Sequence, residues 1–259
     1  MKIYISTDLE GISGIVTWEQ TGRDERGQEY ERARHLLTQE VNAAVEGAIS
    51  GGAEEIVVMD GHGGGFNFIV EELDPRAYYI TGPLRTSIYH GLDESFDGIF
   101  LLGFHAMAGT EGAILDHTQS STTWANYYVN GVKMGEIGQA ALIAGHFNVP
   151  VIFISGDKSA CEEGKSFFKD VETVAVKEGF TRNCGKILSP IKSRELIKKG
   201  IVRALKRIKD FKPYIVKPPL EVKIEFQKSE TADGYEKIGW KKVDERTVFK
   251  IADSALKIL

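Results

Sequence analysis

Short apolar runs of strand length, separated by stretches of helical period, constrain this chain more than any other feature of its sequence. Lys2–Thr7 (KIYIST), Glu55–Met59 (EIVVM), Gly98–Phe104 (GIFLLGF) and Pro150–Ile154 (PVIFI) lack the strict polar alternation of a half-wet strand, so each is predicted to be covered on both faces. Between the first two, Leu37, Val41, Ala44, Val45 and Ala48 recur at helical spacing, and Gly51-Gly52 supplies a stop. A short helix near Asn67–Leu73 and a brief strand at Tyr78–Ile80 follow the second run. Within Asn126–Met134 (NYYVNGVKM) the Asn130-Gly131 pair is a strong hairpin signal. Helices are predicted from about Gly135 to His146 and, after the PVIFI strand, through Phe168. Such alternation predicts an α/β fold, with three α/β/α layers around a mainly parallel sheet.

The last third changes character. Ile191–Lys209 reads as a basic amphipathic helix, and Leu220, Val222, Ile224 and Phe226 alternate with Glu221, Lys223 and Glu225, as in a strand with one wet face. The chain is therefore expected to divide into residues 1–184, an α/β domain, and residues 185–259, a smaller C-terminal α+β subdomain that builds subunit contacts or covers a site. With 259 residues, 42% of them hydrophobic, it can bury a sizeable core. Lys plus Arg number 32 against 37 Asp plus Glu, a formal charge of -5, which speaks against nucleic acid as a partner. The first apolar run is too short for a secretory leader or a membrane span, so a cytoplasmic location and no membrane partner are expected. Lys198, Lys199, Arg203, Lys206 and Arg207 read as a solvated helix face. Cys161 and Cys184 have no CxxC spacing and no matching cluster, and unpaired thiols are expected.

Three of the predicted strands run out into a residue able to hold a metal. The first ends Ser6-Thr7-Asp8-Leu9-Glu10, where two carboxylates share a face if the extended conformation persists. The second ends Asp60-Gly61-His62 and the third Gly103-Phe104-His105. Ligands of open parallel sheets bind beyond the carboxyl ends of the strands, which is where Asp8, Glu10, His62 and His105 converge in such a fold. Carboxylate oxygens with imidazole nitrogens suit zinc. One catalytic zinc needs only three protein ligands, and the surplus points to two ions about 3.5 to 4 Å apart with a bridging carboxylate. Glu136, in the first turn of the helix after the hairpin, is a fifth ligand candidate in a position its charge favours. His117 lies in a loop at the same sheet edge and is a candidate proton donor, base or nucleophile.

Taken singly, each of these residues has an ordinary reading: Asp8 and Glu10 as solvated loop carboxylates, the histidines as hydrogen-bonded loop or core residues, Glu136 as a helix N-terminal charge. The joint placement at strand ends favours a site. Other motifs fall away. His62-Gly63-Gly64-Gly65 imitates an esterase oxyanion loop, but the chain has no G-x-S-x-G nucleophile elbow. Neither phosphate-binding glycine fingerprint is present. The glycines are expected to let the backbone approach a metal centre or substrate closely. His35, His90 and His146 receive no role.

In order, Ser6-Thr7-Asp8-Leu9-Glu10-Gly11-Ile12-Ser13-Gly14, Asp60-Gly61-His62, Gly103-Phe104-His105-Ala106, His117 and Gly135-Glu136-Ile137-Gly138 resemble the zinc D-aminopeptidase family, the dipeptide-transport-associated D-aminopeptidases. The likeness runs from Met1 to about Gly200, with the S-x-D-x-E-G opening its most specific part. It implies a binuclear zinc aminopeptidase that removes N-terminal D-residues from short peptides. Asp8, Glu10, His62, His105 and Glu136 match its zinc ligands, and His117 its catalytic histidine. It also implies a homo-oligomer, a ring reported as a decamer. In such an enzyme a metal-held hydroxide attacks the scissile carbonyl while His117 moves a proton or steadies the oxyanion. Two alternatives stay open at this level: a dimetal hydrolase of another bond, such as a phosphoester or non-peptide amide, and a peptide-binding uptake accessory without catalysis.

Overall fold

A computed structural model describes residues 1–22, 27–84 and 87–259 of the chain. Its larger sheet has seven strands in the order β3-β2-β1-β4-β7-β8-β9. These are β1 (Lys2–Thr7), β2 (Glu55–Asp60), β3 (Tyr78–Ile80), β4 (Gly98–Phe104), β7 (Val151–Asp157), β8 (Glu172–Thr181) and β9 (Cys184–Ile187). All neighbours pair in parallel except β8 and β9, which form an antiparallel edge. The pleat sorts the side chains. Ile3, Ile5, Phe100 and Leu102 enter one core with α1 (Gln28–Ser50) and α4 (Pro190–Lys206), while Tyr4, Ile99 and Leu101 enter the other with α2 (Glu136–His146). This two-sided burial is why the strands carry unbroken apolar runs. α3 (Lys158–Phe167) packs beside α2 and begins on Asp157, whose carboxylate accepts from Ala160 N at 2.7 Å.

The second sheet is antiparallel, in the order β11-β12-β10-β5-β6. It comprises β5 (Trp124–Val129), β6 (Val132–Lys133), β10 (Leu220–Phe226), β11 (Lys241–Asp244) and β12 (Thr247–Ala252), with α5 (Ser229–Lys237) against it. Its inner face, including Tyr127, Val222, Ile224 and Val248, shares a core with α2. The two sheets divide the chain differently from the sequence expectation of a boundary at 184/185. The β5–β6 hairpin, turned at Asn130-Gly131 with φ of 50° and 77°, joins the late strand β10, because Val222, Ile224 and Phe226 need an apolar partner face. Conversely α4, from beyond that boundary, packs on α1 in the first layer. The expected short helix near 67–73 is a single 3-10 turn, Val70–Glu72. Both cysteines are free, Cys161 buried and Cys184 exposed. Among the described residues, no helix is long and apolar enough to cross a membrane.

Candidate metal centre

The carboxyl ends of β1, β2 and β4 are zipped together by main-chain bonds that continue past the strands. Asp8 N donates to Leu102 O at 2.8 Å, and Gly11 N donates to Gly103 O at 2.8 Å. This approach leaves no room for side chains: a Cβ on Gly11 would lie 2.1 Å from Phe104 O, and one on Gly103 (φ +75°) 2.4 Å from Asp8 O. Gly61 is similarly pressed on Thr7 O, at 2.3 Å from a Cβ position. These glycines serve strand-end packing, and Gly61 also lines the cleft together with Gly63 and Gly64. The chain turns at once after Asp8, with Ile12 N donating to Leu9 O at 3.2 Å. Asp8 and Glu10 thus share a surface through a turn, and not through a continued extended strand.

Onto this edge the fold delivers all six residues singled out in the sequence. Asp8 and Glu10 come from the turn after β1, His62 from beyond β2, His105 from the first position after β4, and Glu136 from the first residue of α2. His117 arrives on the long loop between β4 and β5 and stacks on His105, with ring centroids 3.9 Å apart and 14° between planes. His62 Nδ1 lies 3.1 Å from Asp8 Oδ1 and 3.0 Å from Glu10 Oε2. His105 Nε2 lies 3.3 Å from Asp8 Oδ2 and 3.4 Å from Glu136 Oε1. His117 Nε2 is 3.9 Å from the same Glu136 oxygen. Asp8 therefore stands between two groups, one oxygen turned to each.

The proton positions follow from the other ring nitrogens. His62 Nε2 faces Thr21 O at 2.9 Å, His105 Nδ1 faces Ala106 O at 3.0 Å, and His117 Nδ1 faces Leu115 O at 2.9 Å. A carbonyl only accepts, so each of these nitrogens carries the hydrogen and the opposite lone pair points into the centre. Asp8 Oδ2, Glu10 Oε2 and His105 Nε2 are buried without a hydrogen-bond partner. Three such atoms gathered on one spot need a cation to offset their desolvation. Ligands of a tetrahedral zinc bonded at about 2.0–2.1 Å sit roughly 3.3 Å from one another, and the donor separations of 3.0 to 3.4 Å match. The donor set and its spacing fit a metal. Asp8, Glu10 and His105 form one group with ligand geometry, and His105, His117 and Glu136 another.

The electrostatics agree. Burial alone would raise the Asp8 carboxyl, but His105 and His62 hold it well below the usual range. Burial works against charge on both His62 and His105, yet Glu10 and Asp8 around the one, and Glu136 and Asp8 around the other, push them well above the ordinary imidazole value. Protons compete with a metal for these donors, so metal affinity falls as the pH is lowered. His117 goes the other way: burial and the neighbouring His105 lower it, which keeps this imidazole neutral.

Several contributors were not visible in the sequence. Gln119 (φ 59°) donates its N–H to Glu136 Oε1 at 2.7 Å, orienting that carboxylate at the helix start. Glu163 on α3 accepts from Met107 N at 2.7 Å, tying the loop after His105, and burial pushes its carboxyl up to about 7. Lys177 on β8 reaches under the turn after β1, with its ammonium pushed down by burial to about 8. Asp60, paired with His62 by its spacing, instead points inward and accepts from Asn67 N and Nδ2, both at 2.7 Å. His35 lies outside the centre, beside Glu72. The cleft above the centre holds about 680 Å³, with Trp18, Tyr30 and Ile88 on its walls and Leu256 and Leu259 from the C-terminal end.

A mainly parallel α/β/α sheet whose strand ends gather three carboxylates and three oriented imidazoles defines an α/β protein with a candidate metal site, a donor set that metallohydrolases use. More narrowly, the chain belongs to the peptidase M55 family, described as D-aminopeptidase, whose model matches residues 1–259. It is 36% identical over 214 residues to a D-aminopeptidase of Bacillus subtilis (strain 168), spanning 82% of this chain and 77% of that protein. Among solved structures it is similar to the Zn-dependent D-aminopeptidase DppA from Bacillus subtilis, described as a self-compartmentalizing protease. That match has a TM-score of 0.94 and 33% identity, covering 100% of this chain and 94% of the other.

Proposed function

We propose that this protein is a binuclear zinc aminopeptidase that removes N-terminal D-amino acids from short peptides. Asp8, Glu10, His62, His105 and Glu136 would hold the two ions, with one oxygen of Asp8 turned to each half of the cage, and His117 handles the proton. The observation that carries this reading is the convergence of buried, unpartnered Asp8 Oδ2, Glu10 Oε2 and His105 Nε2, with each neighbouring imidazole oriented by a carbonyl on its far side. Family membership supplies the bond that is cut.

Zinc bound there supplies Lewis acidity and a water that deprotonates near neutral pH. The chain's own residues do the rest. His117 is neutral, donates Nδ1–H to Leu115 O and turns the Nε2 lone pair toward the cleft, so Nε2 accepts a proton from the attacking water and returns it to the leaving nitrogen. Trp18 closes on the edge of this ring at 5.3 Å and limits its rotation. Burial of Asp8 and Glu10, 6% and 2% exposed, keeps water off the donor atoms and strengthens every charge contact among them.

Elemental analysis of the purified protein is expected to give about two zinc per chain, and a panel of D- and L-aminoacyl amides beside a phosphoester is expected to show turnover of the D-amides. Phosphoester turnover alone, or no metal in active protein, overturns the reading. Assembly into a ring of identical subunits, with a decamer the expected size, is part of the same proposal. It is supported by the self-compartmentalizing description of the structural relative and by the exposed apolar side chains Phe66, Val70, Tyr78 and Leu84. Light scattering on the eluted protein reads it directly. A cytoplasmic location is supported by the two unpaired cysteines.

A further inference from the structure

We infer that Lys177 is a positioning residue for the Asp8, Glu10 and His62 half of the centre: its ammonium, seated against the main chain of the turn at 10–15, holds Glu10 in place as a ligand. The inference rests on the dimetal reading above. Lys177 sits on β8, opposite Asp157 of β7, and is 3% exposed. Its Nζ donates to the carbonyls of Glu10, of Ile12 at 3.0 Å and of Ile15 at 2.6 Å. An ammonium has three N–H bonds, and all three go to this one turn.

Packing alone does not explain such a residue. A buried lysine that makes no direct carboxylate contact is costly, and an apolar side chain would fill the space at less expense in desolvation. What the ammonium adds is a fixed point under a turn that has little regular structure of its own, only bonds such as Ile12 N to Leu9 O and Ile15 N to Ile12 O, both 3.2 Å. The opposite side of the turn is gripped by Glu40 of α1, whose Oε1 accepts from Ser13 N at 3.2 Å and from Ser193 Oγ of α4 at 2.6 Å. Two buried ionisable side chains from distant parts of the chain thus clamp the segment that presents Glu10. No comparable buried cation reaches the His105, His117 and Glu136 half among the described residues, so the effect of Lys177 falls on one half of the centre.

Cobalt(II) titration of metal-free protein, followed by visible absorption, tests this. Wild type is expected to take up cobalt in two spectrally distinct steps. In K177M one step is expected to weaken by about 10- to 100-fold, the range seen when an orienting partner of a ligand is lost, while the other moves less than about threefold. K177R keeps the charge but not the compact three-donor geometry, and is expected to show a smaller loss at the same step; it also serves if K177M does not fold. A variant that weakens both steps alike, or neither, overturns the inference and leaves the dimetal reading standing. Wild-type protein that takes up no cobalt overturns both.

Discussion

The two halves of the centre are built differently. Asp8 and Glu10 are almost sealed, on a turn clamped by Lys177 and Glu40, and His62 is pinned to Thr21 O. Glu136, with its side chain 21% exposed, and His117 face the cleft from a helix start and a long loop, held by Gln119 N and by stacking on His105. In the first half Asp8 Oδ2 and Glu10 Oε2 are buried without a hydrogen-bond partner, whereas Asp8 Oδ1 also accepts from Leu9 N at 2.9 Å. Both halves line the cleft, through Asp8, Glu10 and His62 on one side and Glu136 and His117 on the other, while His105 is buried. Asp8 belongs to both, which makes it the place to break the comparison hardest.

The Asp8→Ala variant is expected to lose both metals and all measurable turnover, read by metal analysis and an amide assay; retention of one tightly bound ion would show that the halves do not share this carboxylate. His117→Ala is expected to keep two metals while kcat falls by about 10²- to 10⁴-fold. Loss of metal in that variant would instead make His117 a ligand beside His105 and Glu136, as their grouping permits.

Backbone substitutions sharpen the contrast between the site edge and the second sheet. Gly103→Ala places a Cβ 2.4 Å from Asp8 O at φ +75°, and is expected to destabilise by about 2–4 kcal/mol from strain and crowding together. Gly131→Ala has a similar φ of +77° but nothing within 4 Å, so only the strain of about 1–2 kcal/mol is expected. Equal costs in urea denaturation would mean that the close approach of β1 and β4 is not tight.

The clamp on the turn adds a pH dependence of its own. Burial, only partly offset by Ser193 and Ser13, raises the Glu40 carboxyl from 4.5 to about 7. The folded protein therefore holds a proton that the unfolded chain has released, and the stability this contributes is full below the unfolded pKa and lost as pH rises through about 7. Glu40→Gln removes the dependence. Its stability relative to wild type is expected to grow by about 1–3 kcal/mol as pH increases across that window, and a gap that shrinks or stays flat in urea denaturation would place the charge elsewhere.

The clustering of the candidate residues on one edge was legible because they sit at the ends of apolar runs of strand length. His105 follows GIFLLGF directly, and Glu136 follows a hairpin and opens a helix. What local pattern could not supply were partners set by distant topology. Lys177 lies in ETVAVKEGFT, where a lysine reads as part of a wet face; only the placement of β8 beside β7 brings it beneath Glu10. The same limit affected the β5–β6 hairpin, visible from Asn130-Gly131 but not assignable to β10, to which Asn126 pairs at Glu225. Asp60 shows the converse, since its spacing from His62 matched the pattern of Asp8 and Glu10, yet its carboxylate turns inward to Asn67.

Anomalous diffraction at the zinc edge from crystals of the zinc-loaded protein tests the two-ion cage most directly. Two peaks are expected, one among Asp8, Glu10 and His62 and the other among Asp8, His105 and Glu136, with Asp8 contributing an oxygen to each. Active crystals showing a single peak, or peaks away from these donors, would contradict it.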